Sequence, residues 1–84
     1  MTATIQDHQQ QIRDVVSEVL EIDPAELTED GLFAAEYGAD SLRTIEILAV
    51  LEKTFGVPID QSELPRMVNL AGVYAVVAEA AGWE

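Results

Sequence analysis

The chain has 84 residues, 49% of them hydrophobic and 6% aromatic, and its 16 acidic against 4 basic residues give a formal net charge of −12. This length predicts a single domain over residues 1–84, with one modest core and no deep substrate pocket. The charge argues against nucleic acid and anionic membranes as partners, because both are bound mainly through Lys and Arg. Basic proteins are the favoured partners.

Side chains that serve catalysis or metal binding are scarce. The chain has no cysteine and one histidine, His8, so thiol chemistry and Cys- or His-based metal sites are not expected. We expect His8 to be solvated. The sequence has neither an apolar run of membrane-span length nor a signal peptide. It therefore predicts a soluble, cytoplasmic, monomeric protein with no catalytic residue and no metal, whose function lies in being recognised.

The first predicted helix covers about residues 4–21 and ends before Pro24, because the residue before a proline disfavours helix. Its apolar residues recur every three or four positions and include Ile5, Ile12, Val15, Val16, Val19 and Leu20.

A long connection over residues 23–40 follows. It has six carboxylates and no basic residue. Asp23 and Pro24 favour one helical turn at its start. Four large side chains are too apolar for a free loop and are expected to hold it on the core: Leu27, Leu32, Phe33 and Tyr37.

The next helix is predicted over about residues 41–55, with Gly56 as its C-terminal stop. Its core stripe is predicted to consist of Leu42, Ile45, Leu48, Ala49, Leu51 and Phe55. Ile47 and Val50 fall off this stripe. With this stripe in the core they are partly exposed, where they could contact a partner or a bound group. A slightly different rotation of the helix, which is the commoner outcome for such residues, would bury them in the core.

Two further segments complete the pattern. Ser62 is the predicted cap of a short helix over about residues 62–67, and Asn69 caps a last helix over residues 70–81. Whether Trp83 docks on the bundle stays open. No alternating strand pattern is present. The prediction is an all-α fold, a small four-helix bundle of three main helices and one short helix, with a long loop between the first two main helices.

The stretch Gly38-Ala39-Asp40-Ser41-Leu42 places a serine where a glycine-containing loop enters a helix. Unpaired backbone N–H groups and the positive end of the helix dipole meet there, so a phosphodiester on Ser41 would lie in a favourable field. Taken alone, the stretch also fits a simple helix cap by Asp40 or Ser41.

The order of elements around this serine, over residues 5–81, resembles the acyl carrier proteins of fatty acid and polyketide synthesis. The loop from Phe33 to Leu42 is similar to the family's approach to its attachment serine. The segments that match the family's later helices are Thr44-Ile45-Glu46, Leu51-Glu52-Lys53-Thr54-Phe55, Pro58-Ile59 and Asn69-Leu70.

The resemblance implies that Ser41 is esterified with 4′-phosphopantetheine from coenzyme A by a phosphopantetheinyl transferase, and that the thiol of this arm carries acyl groups as thioesters. Asp40 would help the transferase position the reaction and its Mg²⁺. The implied partners are an acyltransferase, ligase or ketosynthase of the pathway, contacted through Glu36, Leu42, Arg43, Glu46 and Glu52.

Three residues depart from the bacterial fatty acid carriers: Tyr37 replaces a common leucine, and Arg43 and Lys53 replace common acids. These departures favour a carrier dedicated to a polyketide or mixed peptide–polyketide pathway, such as antibiotic biosynthesis. The alternatives are an aminoacyl or peptidyl carrier of nonribosomal peptide synthesis, a small acidic interaction module and, least favoured, an enzyme. The sequence does not identify the cargo.

Overall fold

The protein consists of helical segments joined by short connections. The computed structural model describes residues 5–83 and the side chains of residues 7–83. They are α1 (Ile5–Leu20), a 3-10 turn (Pro24–Glu26), α2 (Phe33–Tyr37), α3 (Ser41–Phe55), a 3-10 helix (Gln61–Arg66) and α4 (Leu70–Ala81). No strand occurs within residues 5–83. The predicted all-α fold is confirmed. None of these helices is long and apolar enough to cross a bilayer.

The ends of the helices follow local sequence signals. The side chain of Asn69 accepts the backbone N–H of Gly72 at 2.8 Å and begins α4. Gly56 and Gly82 end α3 and α4 with left-handed backbones, which glycine adopts without a steric penalty. The prediction of Ser62 as a cap is wrong. The 3-10 helix begins at Gln61, and its cap is Asp60, whose side chain accepts the backbone N–H of Ser62 at 2.8 Å.

The core lies where one face each of α1, α3 and α4 meet. These helices bury Ile12, Val16, Ile47, Leu48, Leu51, Leu70, Val73, Val76 and Val77. The connecting segments add Leu27, Phe33, Ala39, Ile59 and Met67. Leu27, Phe33 and Ala39 belong to the acidic connection (residues 23–40), so this connection packs on the bundle at three positions.

The face of α3 that packs on the core differs from the predicted stripe. Of the two residues whose exposure the sequence left open, Ile47 is fully buried and Val50 is 38% exposed. Leu42 and Ile45, predicted as core, are 64% and 39% exposed. The helix is apolar on more than one side, and its packing against α1 and the 3-10 helix decides which side is buried.

A short helix that the sequence did not indicate, α2, lies inside the long connection. The N–H of Phe33 donates to the carbonyl of Val68 at 2.9 Å, and its side chain enters the core. Leu32 caps this helix with extended backbone and is 48% exposed, so its predicted role in holding the loop is wrong. Five residues are too few to show a helical period.

The two ends of the described chain meet in an aromatic cluster. The ring of His8 stacks on Trp83 with 3.8 Å between centroids, and Trp83 lies edge-on to Phe55 at 5.1 Å. The left-handed turn at Gly82 brings Trp83 back, with its N–H donating to the carbonyl of Ala78 at 2.9 Å. His8 is half-buried, so the expectation that it is solvated is wrong.

Candidate functional site

Ser41 is the first residue of α3 and is exposed. The capping role belongs to Asp40, whose carboxylate Oδ1 accepts the backbone N–H of Arg43 at 3.0 Å. Within the described part of the chain the Ser41 hydroxyl has no hydrogen-bond partner. Because Asp40 caps the helix, the hydroxyl of Ser41 is left available at the positive end of the helix dipole.

The segment leading to Ser41 has a defined shape. Gly38 adopts a left-handed backbone (φ 66°) that ends α2, and the N–H of Ala39 donates to the carbonyl of Phe33 at 3.0 Å. Ala39 is buried directly before Asp40. The serine is therefore presented by a turn anchored in the core on one side and by a 15-residue helix on the other.

Two polar side chains hold the acidic connection in place: Tyr37 bonds within the connection, and Arg13 joins it to the bundle. The Tyr37 hydroxyl accepts the N–H of Thr28 at 3.0 Å and donates to the carbonyl of Glu26 at 3.3 Å. Arg13, on α1, donates to the carbonyl of Leu27 at 2.6 Å. A leucine in place of Tyr37 could not make these bonds, so the tyrosine gives this loop a polar anchor.

An apolar groove of about 270 Å³ opens beside Ser41. It lies between α2, the start of α3 and the end of the 3-10 helix, and its largest lining side chains are Leu32, Phe33, Leu64, Met67 and Val68. Thr44 and Asp40 supply its polar edge. A group attached to Ser41 has apolar surface within immediate reach.

Three of the predicted partner-binding residues lie on the surface near Ser41. Glu36, Leu42 and Glu46 are exposed. With Asp40 they make this end of the molecule acidic around one large apolar side chain.

The described residues contain no group of His, Cys, Asp and Glu side chains that could hold a metal ion.

The other two predicted partner-binding residues make internal contacts. One Arg43 amino group donates to the carbonyl of Val19 at 3.1 Å, and the other pairs with Glu21 at 3.1 Å. Glu52 is half-buried and accepts the N–H of Ile59 at 2.8 Å. Sequence reasoning missed these roles because the contacts join separate elements.

The chain is similar to known proteins of one family. A family model described as "Phosphopantetheine attachment site" matches residues 10–78. The chain is 61% identical over 72 residues to "Polyketide-8 synthase acyl carrier protein 1" of Streptomyces avermitilis, covering 86% of each chain. It is 34% identical over 68 residues to an "Acyl carrier protein" of Helicobacter pylori, covering 81% of this chain and 87% of that one.

A solved structure is similar as well. One chain in "The ishigamide ketosynthase/chain length factor" is 39% identical, with a TM-score of 0.78 over 92% of this chain and 97% of that chain. The family's group is phosphopantetheine, and acyl carrier proteins are carriers without catalytic activity, so the predictions of cofactor and of a non-enzyme are confirmed. The chain belongs to the phosphopantetheine attachment family and, within it, to the acyl carrier proteins.

Proposed function

We propose that Ser41 is the attachment residue and that this protein carries acyl intermediates of polyketide biosynthesis on a 4′-phosphopantetheine arm. The observation that carries the proposal is the exposed Ser41 hydroxyl at the start of α3, with the capping role taken by Asp40. The arm supplies the thiol that the chain itself lacks, and this thiol holds the cargo as a thioester. A single carrier domain over the whole chain is consistent with the family match at residues 10–78.

In the modification step, the Ser41 oxygen forms a bond to a phosphorus of coenzyme A. Adenosine 3′,5′-bisphosphate leaves, and the hydroxyl proton passes to a base of the transferase or to water. Residues of this chain favour the product, because the phosphodiester lies at the N-terminus of α3 among unpaired backbone N–H groups. We propose that Asp40, which is exposed, also faces the transferase and its Mg²⁺.

The surroundings of Ser41 fit the attached group. The hydroxyl is exposed, so a transferase can reach it without unfolding the helix. The apolar groove beside it can shelter part of a carried chain, because burying apolar surface there removes it from water. Leu32, which is half in solvent, lies at this groove and would be covered by such a chain.

Partner recognition is proposed for the surface around Ser41. Glu36 and Glu46 supply negative charge and Leu42 an exposed apolar contact, a combination that suits a basic partner surface with a central apolar patch. Arg43 and Glu52 are proposed at the edge of this surface, since their internal contacts leave the Arg43 side chain 42% exposed and Glu52 half-buried.

The pathway assignment is supported by the printed names of the relatives. Two polyketide-8 synthase acyl carrier proteins of Streptomyces avermitilis are 61% and 36% identical to this chain. The similar solved chain comes from a structure named for a ketosynthase/chain length factor. We therefore propose pathway enzymes such as a ketosynthase as partners of a monomeric carrier. These names favour the acyl carrier over the aminoacyl or peptidyl alternative.

Intact-mass measurement tests the attachment residue. The purified protein is incubated with coenzyme A, Mg²⁺ and a promiscuous phosphopantetheinyl transferase. We expect the wild type and the control Ser62→Ala, which removes another exposed serine, to gain one phosphopantetheine. Ser41→Ala should fold and gain none. Modification of the Ser41→Ala protein would refute the assignment.

A further inference from the structure

Helix α2 leads directly into the turn that presents Ser41, and contacts with other elements hold it at both ends. It has five residues and no side-chain cap at its start. A helix this short has little stability of its own, so its position depends on these contacts. At its start, the N–H of Phe33 donates to the carbonyl of Val68 and the ring is buried. At its end, the Tyr37 hydroxyl bonds to the first half of the acidic connection.

The residue that Tyr37 bonds is itself held by two main helices. The Tyr37 hydroxyl accepts the N–H of Thr28 at 3.0 Å and lies 3.3 Å from the Thr28 hydroxyl. The carbonyl directly before Thr28 accepts a bond from Arg13 of α1 at 2.6 Å. The carbonyl directly after Thr28 accepts the N–H of Ala71 of α4 at 3.0 Å. The Tyr37 hydroxyl therefore ties the end of α2 to a segment that α1 and α4 position.

A glycine leaves just enough room for this pair of hydroxyls. A Cβ atom at Gly31 would lie 2.5 Å from the Thr28 hydroxyl oxygen and 3.0 Å from that of Tyr37, both closer than van der Waals contact, and would also collide with the Glu36 carboxylate. The N–H of Gly31 donates to the Thr28 hydroxyl at 3.1 Å. A side chain at this position must displace the Thr28 hydroxyl, so the close approach around Tyr37 explains the glycine.

Packing does not explain the hydroxyl of Tyr37. The side chain is half-buried against the core, with its ring centroid 6.5 Å from that of Phe33. A phenylalanine or a leucine would fill this space without a hydroxyl. What the hydroxyl adds is a set of directional bonds at the end of α2, four residues before Ser41. Hydrogen bonds define position more narrowly than apolar contact does, because they depend on distance and angle.

We propose that Tyr37 is a positioning residue for the modification of Ser41, an inference that rests on the proposed assignment of Ser41 as the attachment residue. The bonds of its hydroxyl hold the end of α2, and residues 38–40 that follow, in the arrangement that a transferase binds. Without these bonds only a fraction of the molecules keeps that arrangement, and the apparent affinity falls by that fraction. The bound protein adopts the same arrangement in either case, so the turnover of the bound complex is unchanged.

Steady-state kinetics of phosphopantetheine transfer test this role with Tyr37→Phe, which keeps the ring and removes only the hydroxyl. With the carrier protein as the varied substrate, we expect KM to rise about two- to tenfold, the equilibrium effect of one ordinary hydrogen bond, and kcat to stay within about twofold. The matched control Ser17→Ala removes a hydroxyl that bonds the carbonyl of Asp14 within α1, and should change neither constant. Melting curves show that each variant is folded at the assay temperature.

Amide hydrogen exchange of the unmodified protein tests the structural step without a transferase. The N–H of Ala39 donates to the carbonyl of Phe33 at the end of α2, whereas the N–H of Phe33 is bonded at its start. In Tyr37→Phe we expect exchange to become several-fold faster at Ala39 and to stay unchanged at Phe33. Gly31→Ala displaces the same pair of hydroxyls, so it should speed exchange at Ala39 and raise KM in the same direction.

The inference is overturned if Tyr37→Phe leaves KM unchanged, if kcat falls instead, or if Ser17→Ala raises KM equally. A raised KM with unchanged exchange at Ala39 also overturns it, because the hydroxyl would then contact the transferase directly. Failure of the attachment assignment looks different. In that case Ser41→Ala is still modified in the intact-mass assay, whereas Tyr37→Phe should gain one phosphopantetheine when the reaction is run to completion.

Discussion

Truncation of Phe33 to alanine should strongly destabilise the protein. Phe33 is 2% exposed and is the largest of the fully buried side chains, and its ring centroid lies 6.5 Å from that of Tyr37. Its side chain anchors the acidic connection in the core, and its backbone N–H also donates to the carbonyl of Val68. The alanine variant removes the ring, while the backbone bond can persist.

The expected magnitude follows from the burial. Replacing a buried phenylalanine by alanine costs about 3 to 5 kcal/mol, because apolar transfer energy is lost and a cavity remains. The free energy of unfolding of a protein this small is about 4 to 12 kcal/mol. The variant should therefore lose a large part of its stability. With an m value of about 1 kcal/mol/M in urea, the midpoint should fall by about 3 M or more.

Urea denaturation followed by far-ultraviolet circular dichroism measures this change. The matched control is Leu32→Ala, the adjacent residue, which is 48% exposed and should cost about 1 kcal/mol or less. Equal losses in the two variants, or an unchanged midpoint for Phe33→Ala, would refute the packing described for this loop. The Phe33 variant should also widen the groove beside Ser41, which Phe33 lines.

Two further predictions concern other contacts. Arg66 pairs with Glu79 at 2.5 Å and lowers the pKa of that carboxyl, so the pair stabilises the fold above the ordinary glutamate pKa and this contribution is lost as the pH falls through the lowered value. Melting temperatures measured from about pH 5 to pH 3 should fall less for Arg66→Gln than for the wild type, and an identical fall would contradict this. His8→Ala should lower the stability by about 0.5 to 1.5 kcal/mol and shift Trp83 emission to longer wavelength, because the stacked ring is lost. An unchanged emission spectrum would show that the two rings do not stack in solution.

Short-range signals in the sequence predicted much of this protein. The N-cap of α4 at Asn69 and the stops at Gly56 and Gly82 act on backbone groups within a few residues, so no knowledge of the tertiary structure is needed to find them. The motif around Ser41 is local in the same sense. Its order along the chain identified the family, and the net charge indicated basic partners.

Tertiary packing decided which side of each element is buried. Leu32 and Phe33 are adjacent apolar residues, and the turn into α2 sends Phe33 into the core and leaves Leu32 in solvent. On α3, contacts with α1 and the 3-10 helix bury Ile47 and expose Leu42. A helix that is apolar on several sides has no single hydrophobic face, so its rotation depends on neighbours that the local pattern does not specify.

The roles of long polar side chains were likewise decided by the fold. The sequence alone determined the three main helices, the ends of α3 and α4, the motif around Ser41 and the acidity, because each depends on residues that are neighbours in the chain or on composition. Only the tertiary structure placed Arg43 against the end of α1, Glu52 against Ile59 and His8 against Trp83. These contacts join residues from different elements, and their energies depend on distances that exist only after the helices have packed.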